Sequence, residues 1–137
     1  MKVSELTGAQ LDYWVARAEG KDAEVRSYEM AHGIVYYCNV MSSRGGVVVG
    51  NSPFRPSTDW APGGPIIERE RIELYAPCEA GSFADEWTAN YEWGRPEGYR
   101  APTPLTAAMR AYVASKFGDE VEVEGAKAGA ERGGYED

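Results

Sequence analysis

The 137-residue sequence has one histidine and two cysteines, which leaves little material for a metal centre or a disulfide scaffold. Cys38 and Cys78 lack the spacing of metal ligands and are interpreted as reduced thiols. His32 is interpreted as a loop residue, because no motif joins it to Cys38 as a catalytic pair. We therefore predict no catalytic residue, no metal ligand and no cofactor.

The sequence also lacks long apolar runs and an excess of positive charge. No run approaches the roughly 20 residues of a membrane span, and the first residues do not resemble a signal peptide. Lys and Arg number 14 against 22 Asp and Glu, a net charge of -8 that repels nucleic-acid phosphates. We predict a cytosolic protein whose partners include neither a membrane nor a nucleic-acid polymer. A small phosphorylated ligand is not excluded, since one or two arginines and backbone amides can hold phosphate.

Two amphipathic helices are predicted from apolar residues at helical spacing. The first covers residues 8–19, with Thr7 and Gln10 as a capping box and Gly20 as the stop. The second begins at Thr103, continues with Pro104 and ends before Gly118.

Four strands are predicted from β-branched and aromatic residues in alternation. They are Glu24–Met30, Ile34–Met41, Val47–Val49 and Glu86–Trp93. The intervening segment Pro53–Pro65 holds four prolines and two glycines, which predicts an irregular loop. Residues 66–75 fit neither the helical nor the strand spacing of apolar residues well and are predicted to be extended.

This order of elements predicts an α+β fold, with a mostly antiparallel sheet of four to five strands and two helices packed on one face. We expect one domain over residues 1–124 and a flexible, acidic, glycine-rich tail over residues 125–137. Two helices do not cover both faces of such a sheet. The uncovered aromatic face predicts a homo-oligomer.

The loop from Ser57 to Glu70 is the most unusual stretch of the chain. Ser57, Thr58, Asp59 and Trp60 combine hydroxyls, a carboxylate and an indole. As a ligand site, Trp60 would stack on a base and Asp59 would accept hydrogen bonds from a ribose or an amine. As structure, Asp59 would cap the loop and Trp60 would fill the core. The residues alone leave both interpretations open.

Phosphate recognition in this loop would depend on Gly63, Gly64 and Arg69. The glycine pair lacks the spacing of known phosphate loops and is typical of turns with positive φ. Because Pro65 follows, we expect the glycine amides to be free of sheet hydrogen bonds and open to a ligand. Arg69 has the planar guanidinium that suits phosphate. The neighbouring Glu68, Glu70 and Glu73 are interpreted as a solvated, salt-bridged face, with catalysis or Mg²⁺ binding as the alternative.

The sequence resembles the NinX-type family of small bacteriophage and prophage proteins, a family of unknown function. Three segments carry the resemblance. They are Lys2–Ala9 with Leu11–Asp12 and Trp14–Ala16; Ser57–Ala61 with Gly63–Glu70; and Pro102–Leu105 with Ala107–Arg110 and Tyr112–Lys116, extended by Gly118–Val121. The central string is the most specific of the three.

The resemblance implies a phage-encoded accessory protein in the host bacterial cytoplasm, and it brings no established catalytic residue. By analogy with phage proteins that sequester nucleotide immune signals, we predict a binding protein for such a signal, for example a cyclic ADP-ribose derivative, without turnover. Ser57, Thr58, Asp59, Trp60, Gly63, Gly64 and Arg69 are the predicted ligand-binding residues. The alternatives are a protein-protein inhibitor of a host or phage enzyme and a hydrolase of a nucleotide signal.

Overall fold

A computed structural model describes residues 1–77, 85–91 and 98–128. Over these ranges a short 3-10 helix (Val3–Glu5) precedes three α-helices and seven strands. The α-helices are α1 (Gly8–Ala18), α2 (Trp60–Glu70) and α3 (Pro104–Phe117). The strands are β1 (Asp22–Met30), β2 (Gly33–Arg44), β3 (Val47–Pro53), β4 (Glu73–Tyr75), β5 (Trp87–Asn90), β6 (Tyr99–Ala101) and β7 (Ala126–Ala128).

The strands form two sheets. Sheet 1 has the order β3-β2-β1-β7, with β1, β2 and β3 antiparallel and β7 parallel to β1. Sheet 2 is antiparallel, with the order β4-β5-β6. The α+β class is confirmed, but the prediction of a single sheet with two helices on one face is wrong.

Helices α1 and α3 lie between the two sheets because α1 is apolar on two sides. Leu11 and Val15 face α3 and belong to the larger apolar cluster, which continues through α3 to sheet 2. Tyr13 and Ala16 pack on Val25 and neighbouring residues of sheet 1 in a second cluster. Helix α1 therefore contributes to both apolar clusters, whereas its periodicity predicted a single apolar face.

Helix α2 replaces the irregular loop and part of the extended segment predicted for this region. Pro62 is the third residue of the helix, where a backbone N–H has no intrahelical partner, so its ring costs no hydrogen bond there. Pro65 lies inside the helix, and the burial of Ile66 in the larger cluster offsets its effect. The helix ends at Arg71, whose φ is 55°. Both predictions are wrong over residues 60–70, because packing outweighs the local propensity of proline and glycine. Residues 54–59 are irregular and β4 is extended, as predicted.

The two predicted amphipathic helices are confirmed, but only one of them is capped as expected. Thr103 Oγ1 accepts a hydrogen bond from the Thr106 amide at the start of α3. Thr7 precedes α1 without a side-chain capping bond. Gln10 instead exchanges two hydrogen bonds with the backbone of Glu124, at 2.6 and 2.9 Å. The capping box is wrong, and Gln10 binds the segment after α3.

The segment after α3 runs back along α1 to the edge of sheet 1. Val121 and Met1 exchange hydrogen bonds, and Trp14 Nε1 donates to the Glu122 carbonyl at 3.0 Å. Strand β7 then pairs with β1, so residues 126–128 of the predicted tail are part of a sheet. Among the described residues, no helix is long and apolar enough to cross a bilayer. Cys78 and the end of the strand predicted at Glu86–Trp93 lie outside the described residues.

Candidate functional site

The predicted ligand loop begins with a tight turn that is attached to α1. The amides of Thr58 and Asp59 donate to the Arg55 carbonyl at 3.1 and 2.8 Å. Ser57 is buried, and its amide donates to Oδ1 of Asp12 at 2.8 Å. The backbone of Ser57 therefore has a structural role. Of the first four predicted residues, Thr58, Asp59 and Trp60 are exposed.

Asp59 and Trp60 lie at the start of α2. Oδ1 of Asp59 accepts a hydrogen bond from the Ala61 amide at 3.1 Å, so Asp59 caps a helix. Trp60 is 54% exposed, and the interpretation that it fills the core is wrong. Its indole remains available at the surface.

The glycine pair lies inside α2 and does not form a turn. The Gly63 amide donates to the Asp59 carbonyl at 3.1 Å, which is the ordinary helical bond. Neither Gly63 nor Gly64 has a positive φ. The expectation that these amides are free for phosphate is therefore wrong at Gly63. Its role is close packing, since an added Cβ would lie 2.5 Å from the Pro56 carbonyl oxygen and 2.6 Å from Leu105 Cδ2.

Arg69 is already engaged by carboxylates at the far end of α2. Its Nη1 and Nη2 donate to the two carboxylate oxygens of Glu19 at 3.1 and 2.5 Å, and its Nε donates to Glu70 at 2.9 Å. Tyr112 donates to Glu19 as well. Burial alone would raise the pKa of Glu19, but the hydrogen bonds from Arg69 and Tyr112 lower it.

These contacts join three helices. Arg69 lies about nine residues after Trp60 in α2, which corresponds to roughly 13 Å along the helix. The seven predicted residues therefore do not converge on one site. Arg69 makes the salt bridges that had been expected of its glutamate neighbours.

A cleft of about 360 Å³ lies instead on the face of sheet 1 that is turned away from α1. The strand pairing explains its position, because Val25 pairs with Cys38 on the face that packs on α1, and the alternate residues point the other way. Its lining combines two arginines, two tyrosines, two asparagines and a proline. They are Arg26, Tyr28, Tyr37, Asn39, Asn51, Pro53 and Arg55.

The two arginines of the cleft differ in their partners. Arg26 forms a salt bridge with Glu24 through Nε. Burial on its own would lower the pKa of Arg26, but its hydrogen bonds to Glu24 and Tyr37 raise it. Arg55 is exposed, and its guanidinium forms no ion pair with any residue in the described part of the chain. Arg55 therefore carries the positive charge that is open to a ligand.

The polar and aromatic groups of the cleft are held in fixed relation. Nδ2 of Asn39 donates to Oδ1 of Asn51 at 2.9 Å, and Asn39 is only 2% exposed. The rings of Tyr28 and Tyr37 meet edge to face, with centroids 5.8 Å apart. The cleft thus offers an amide, two aromatic rings and a guanidinium, which together match a planar, anionic ligand.

Asp12 attaches the edge of this cleft to α1. The buried carboxylate accepts the Ser57 amide two residues after Arg55. Desolvation raises the pKa of Asp12 to about 6, although the hydrogen bonds from Ser57 and the charge of Arg55 oppose the increase. The position of Arg55 therefore depends on a buried carboxylate that sequence inspection did not single out.

The alternation of residues in β1 and β2 indicates this cleft in the sequence. Arg26 and Tyr28 are two residues apart in β1, so their side chains point to the same face of the sheet. Tyr37 and Asn39 are related in the same way in β2. A hairpin through His32 and Gly33 brings these two sets onto a common face. Both strands are predicted from the sequence, but their polar positions are given no role there.

Comparison with known proteins identifies one family. Residues 2–116 match the family model described as "Bacteriophage P22, NinX". No curated protein sequence matches the chain. Across the described residues, no group of His, Cys, Asp or Glu side chains is arranged to hold a metal ion.

Proposed function

Because the chain belongs to the Bacteriophage P22 NinX family, we propose that it is a phage accessory protein that acts against host defence in the bacterial cytoplasm. It binds and sequesters a small nucleotide-type immune signal, such as a cyclic ADP-ribose derivative, without turnover. The observation that carries this proposal is the cleft on sheet 1, where Arg55, which forms no ion pair within the described part of the chain, lies with Tyr28 and Tyr37. Arginine binds phosphate, and tyrosine rings stack on bases.

Binding without turnover is supported by the contents of the cleft. Among the described residues, its lining consists of cationic, aromatic and amide side chains with one proline, and none of these residues is a carboxylate, a histidine or a cysteine. Such groups hold a ligand but do not exchange protons readily near neutral pH. Of the carboxylates once considered for hydrolysis, Glu70 is occupied by Arg69 and Tyr91.

Calorimetric titration with mononucleotides, cyclic dinucleotides and ADP-ribose derivatives tests this proposal. We expect saturable binding of at least one compound and its recovery intact by mass spectrometry. Tyr37→Ala is expected to weaken binding by roughly 5- to 100-fold, because base stacking contributes about 1–3 kcal/mol. Tyr75→Ala, at an exposed tyrosine of sheet 2, is the matched control and should leave the affinity unchanged. Absence of binding across the panel at high micromolar concentration would refute the proposal.

We also propose that two copies of the chain associate through β3. This strand is an edge of sheet 1, carries no charged residue, and exposes Val47, Val48 and Val49 by 64, 49 and 59%. An uncharged edge strand lacks the usual protection against pairing, and antiparallel pairing of two identical edges has the symmetry of a dimer.

Light scattering is expected to give a dimeric mass, and Val49→Lys should shift it towards the monomer because a charge on the edge opposes strand pairing. Val123→Lys is the control, since Val123 is 61% exposed but lies outside β3. A monomeric mass for the unmodified protein would contradict this prediction.

A second candidate function is inhibition of a host or phage enzyme by direct contact. The observation in its favour is the hairpin end of sheet 1, where Ile34 and Tyr36, on the same face of β2, are each more than half exposed. Exposed apolar residues grouped in this way are typical of protein interfaces. Recovery of one enzyme at equal stoichiometry from host lysate, with loss of that enzyme's activity, would favour this candidate.

A further inference from the structure

The cleft on sheet 1 restricts the chemistry of its ligand more closely than the proposed function requires. Its volume of about 360 Å³ is near the lower limit for small-molecule pockets. A single nucleotide unit fits that space, whereas a complete dinucleotide would extend beyond it. The cleft therefore selects one unit, either free or as part of a larger molecule.

The charge of the cleft is close to a single positive charge. Arg26 forms a salt bridge with Glu24, so its charge is engaged within the protein. Arg55 is the cation that the described residues leave without an ion pair. One guanidinium accommodates one phosphate in a two-pronged contact, and a second phosphate would meet no second free cation in the lining.

The asparagine pair fixes the direction of the remaining hydrogen bond. Oδ1 of Asn51 is occupied by Nδ2 of Asn39, and this contact determines which way the exposed Asn51 amide points. Nδ2 of Asn51 then has no acceptor among the residues that the structure describes. Asn51 consequently presents a donor to the cleft, and its ligand must present an acceptor such as a ring carbonyl or ring nitrogen.

We infer that the cleft binds a nucleoside monophosphate unit, with the phosphate at Arg55, a base acceptor at Nδ2 of Asn51, and Asn39 as the positioning residue that fixes the orientation of Asn51. This inference rests on the proposed function and narrows it. The two recognition elements come from different groups, so their contributions to affinity are separable.

Calorimetry with a nucleoside, its monophosphate and its diphosphate tests whether the phosphate and the base contribute separately to affinity. For the unmodified protein, the monophosphate is expected to bind roughly 10- to 100-fold more tightly than the nucleoside, as one charge-assisted contact predicts. The diphosphate should gain less than about threefold over the monophosphate, because Arg26, the other cation among the described lining residues, is held by Glu24.

Two variants should separate the contribution of the phosphate to affinity from that of the base. Arg55→Gln is expected to abolish the advantage of the monophosphate and to leave nucleoside affinity unchanged. Asn51→Leu is expected to weaken the nucleoside and the monophosphate by the same factor, roughly 5- to 20-fold, and to preserve the advantage of the phosphate. Arg71→Gln, at an exposed arginine after α2, controls for the loss of general positive charge.

The outcomes distinguish this inference from the proposed function. If no nucleotide or nucleoside binds, the proposed function fails. If nucleotides bind but both variants reduce all affinities alike, or the diphosphate gains tenfold or more, this inference is overturned while nucleotide binding stands. A cyclic dinucleotide or ADP-ribose derivative that binds more tightly than the monophosphate, with the same response to the two variants, identifies the unit as part of a larger signal.

Discussion

Gly63→Ala is expected to lower the free energy of unfolding by about 3 kcal/mol, the upper range for adding a methyl group to a packed interior. The added Cβ would lie 2.5 Å from the carbonyl oxygen of Pro56, a backbone atom that cannot rotate away, and 2.6 Å from Leu105. Relief requires α2 to move away from α3 or the turn at Pro56 to shift. Chemical denaturation monitored by tryptophan fluorescence measures the change.

Gly64→Ala is the matched control for this prediction, because the next residue in the same helix has room. A Cβ at Gly64 would approach only Trp60, at 3.7 Å, which is ordinary van der Waals contact. Alanine is favoured over glycine in a helix, so this variant should gain roughly 0.5–1 kcal/mol. Equal effects at the two positions would contradict the packing of α2 described above.

Asp12→Asn is expected to stabilise the protein at pH 8 by about 2 kcal/mol, although it removes a charge that accepts a hydrogen bond. The pKa of Asp12 rises from its ordinary value of 3.8 to about 6 on folding. Each unit of pKa corresponds to about 1.4 kcal/mol, and the asparagine oxygen retains the bond from the Ser57 amide. The free energy lost by desolvating the buried carboxylate therefore exceeds the free energy gained from its contacts.

The stabilisation should depend on pH in a defined window. Between about pH 4 and 6 the folded protein holds a proton on Asp12 that the unfolded chain has released, so stability falls as pH rises through this range. The difference between Asp12→Asn and the unmodified protein should be smallest near pH 4 and complete above pH 7. Denaturation across this range measures it, with the exposed Asp22 replaced by asparagine as the control. A difference that is independent of pH would exclude this account.

The sequence predicted those elements in which local pattern and packing agree. Helix α3 has Thr103 as its cap and Pro104 as its first residue, and its apolar stripe is buried. Strands β1 and β2 form where they were predicted. Helix α2 was missed because Gly63 and Pro65 argue against a helix locally, whereas Gly63 is required by its contact with Pro56. No local pattern reveals a contact of that kind.

The candidate site was harder to predict because it depends on strand register. Arg26, Tyr37 and Asn51 come from three strands, and only their pairing places them around one cleft. Arg69 looked available in the sequence because its partner Glu19 is 50 residues away. Residue type alone favoured Arg69 as a phosphate ligand, but the tertiary contacts engage Arg69 with Glu19 and Glu70 and leave Arg55 without an ion pair among the described residues.

The position of α1 between the two apolar clusters has a consequence for how the molecule opens. Sheet 1 and sheet 2 each pack on a layer that includes this helix or its neighbour α3. Loss of either sheet would expose one side of the pair, so amide exchange in α1 should proceed only through global unfolding. Strand β3, at an open edge, can exchange by local opening. Strand β3, which contributes Asn51 to the cleft, is therefore expected to exchange before β1 and β2, which pack on α1.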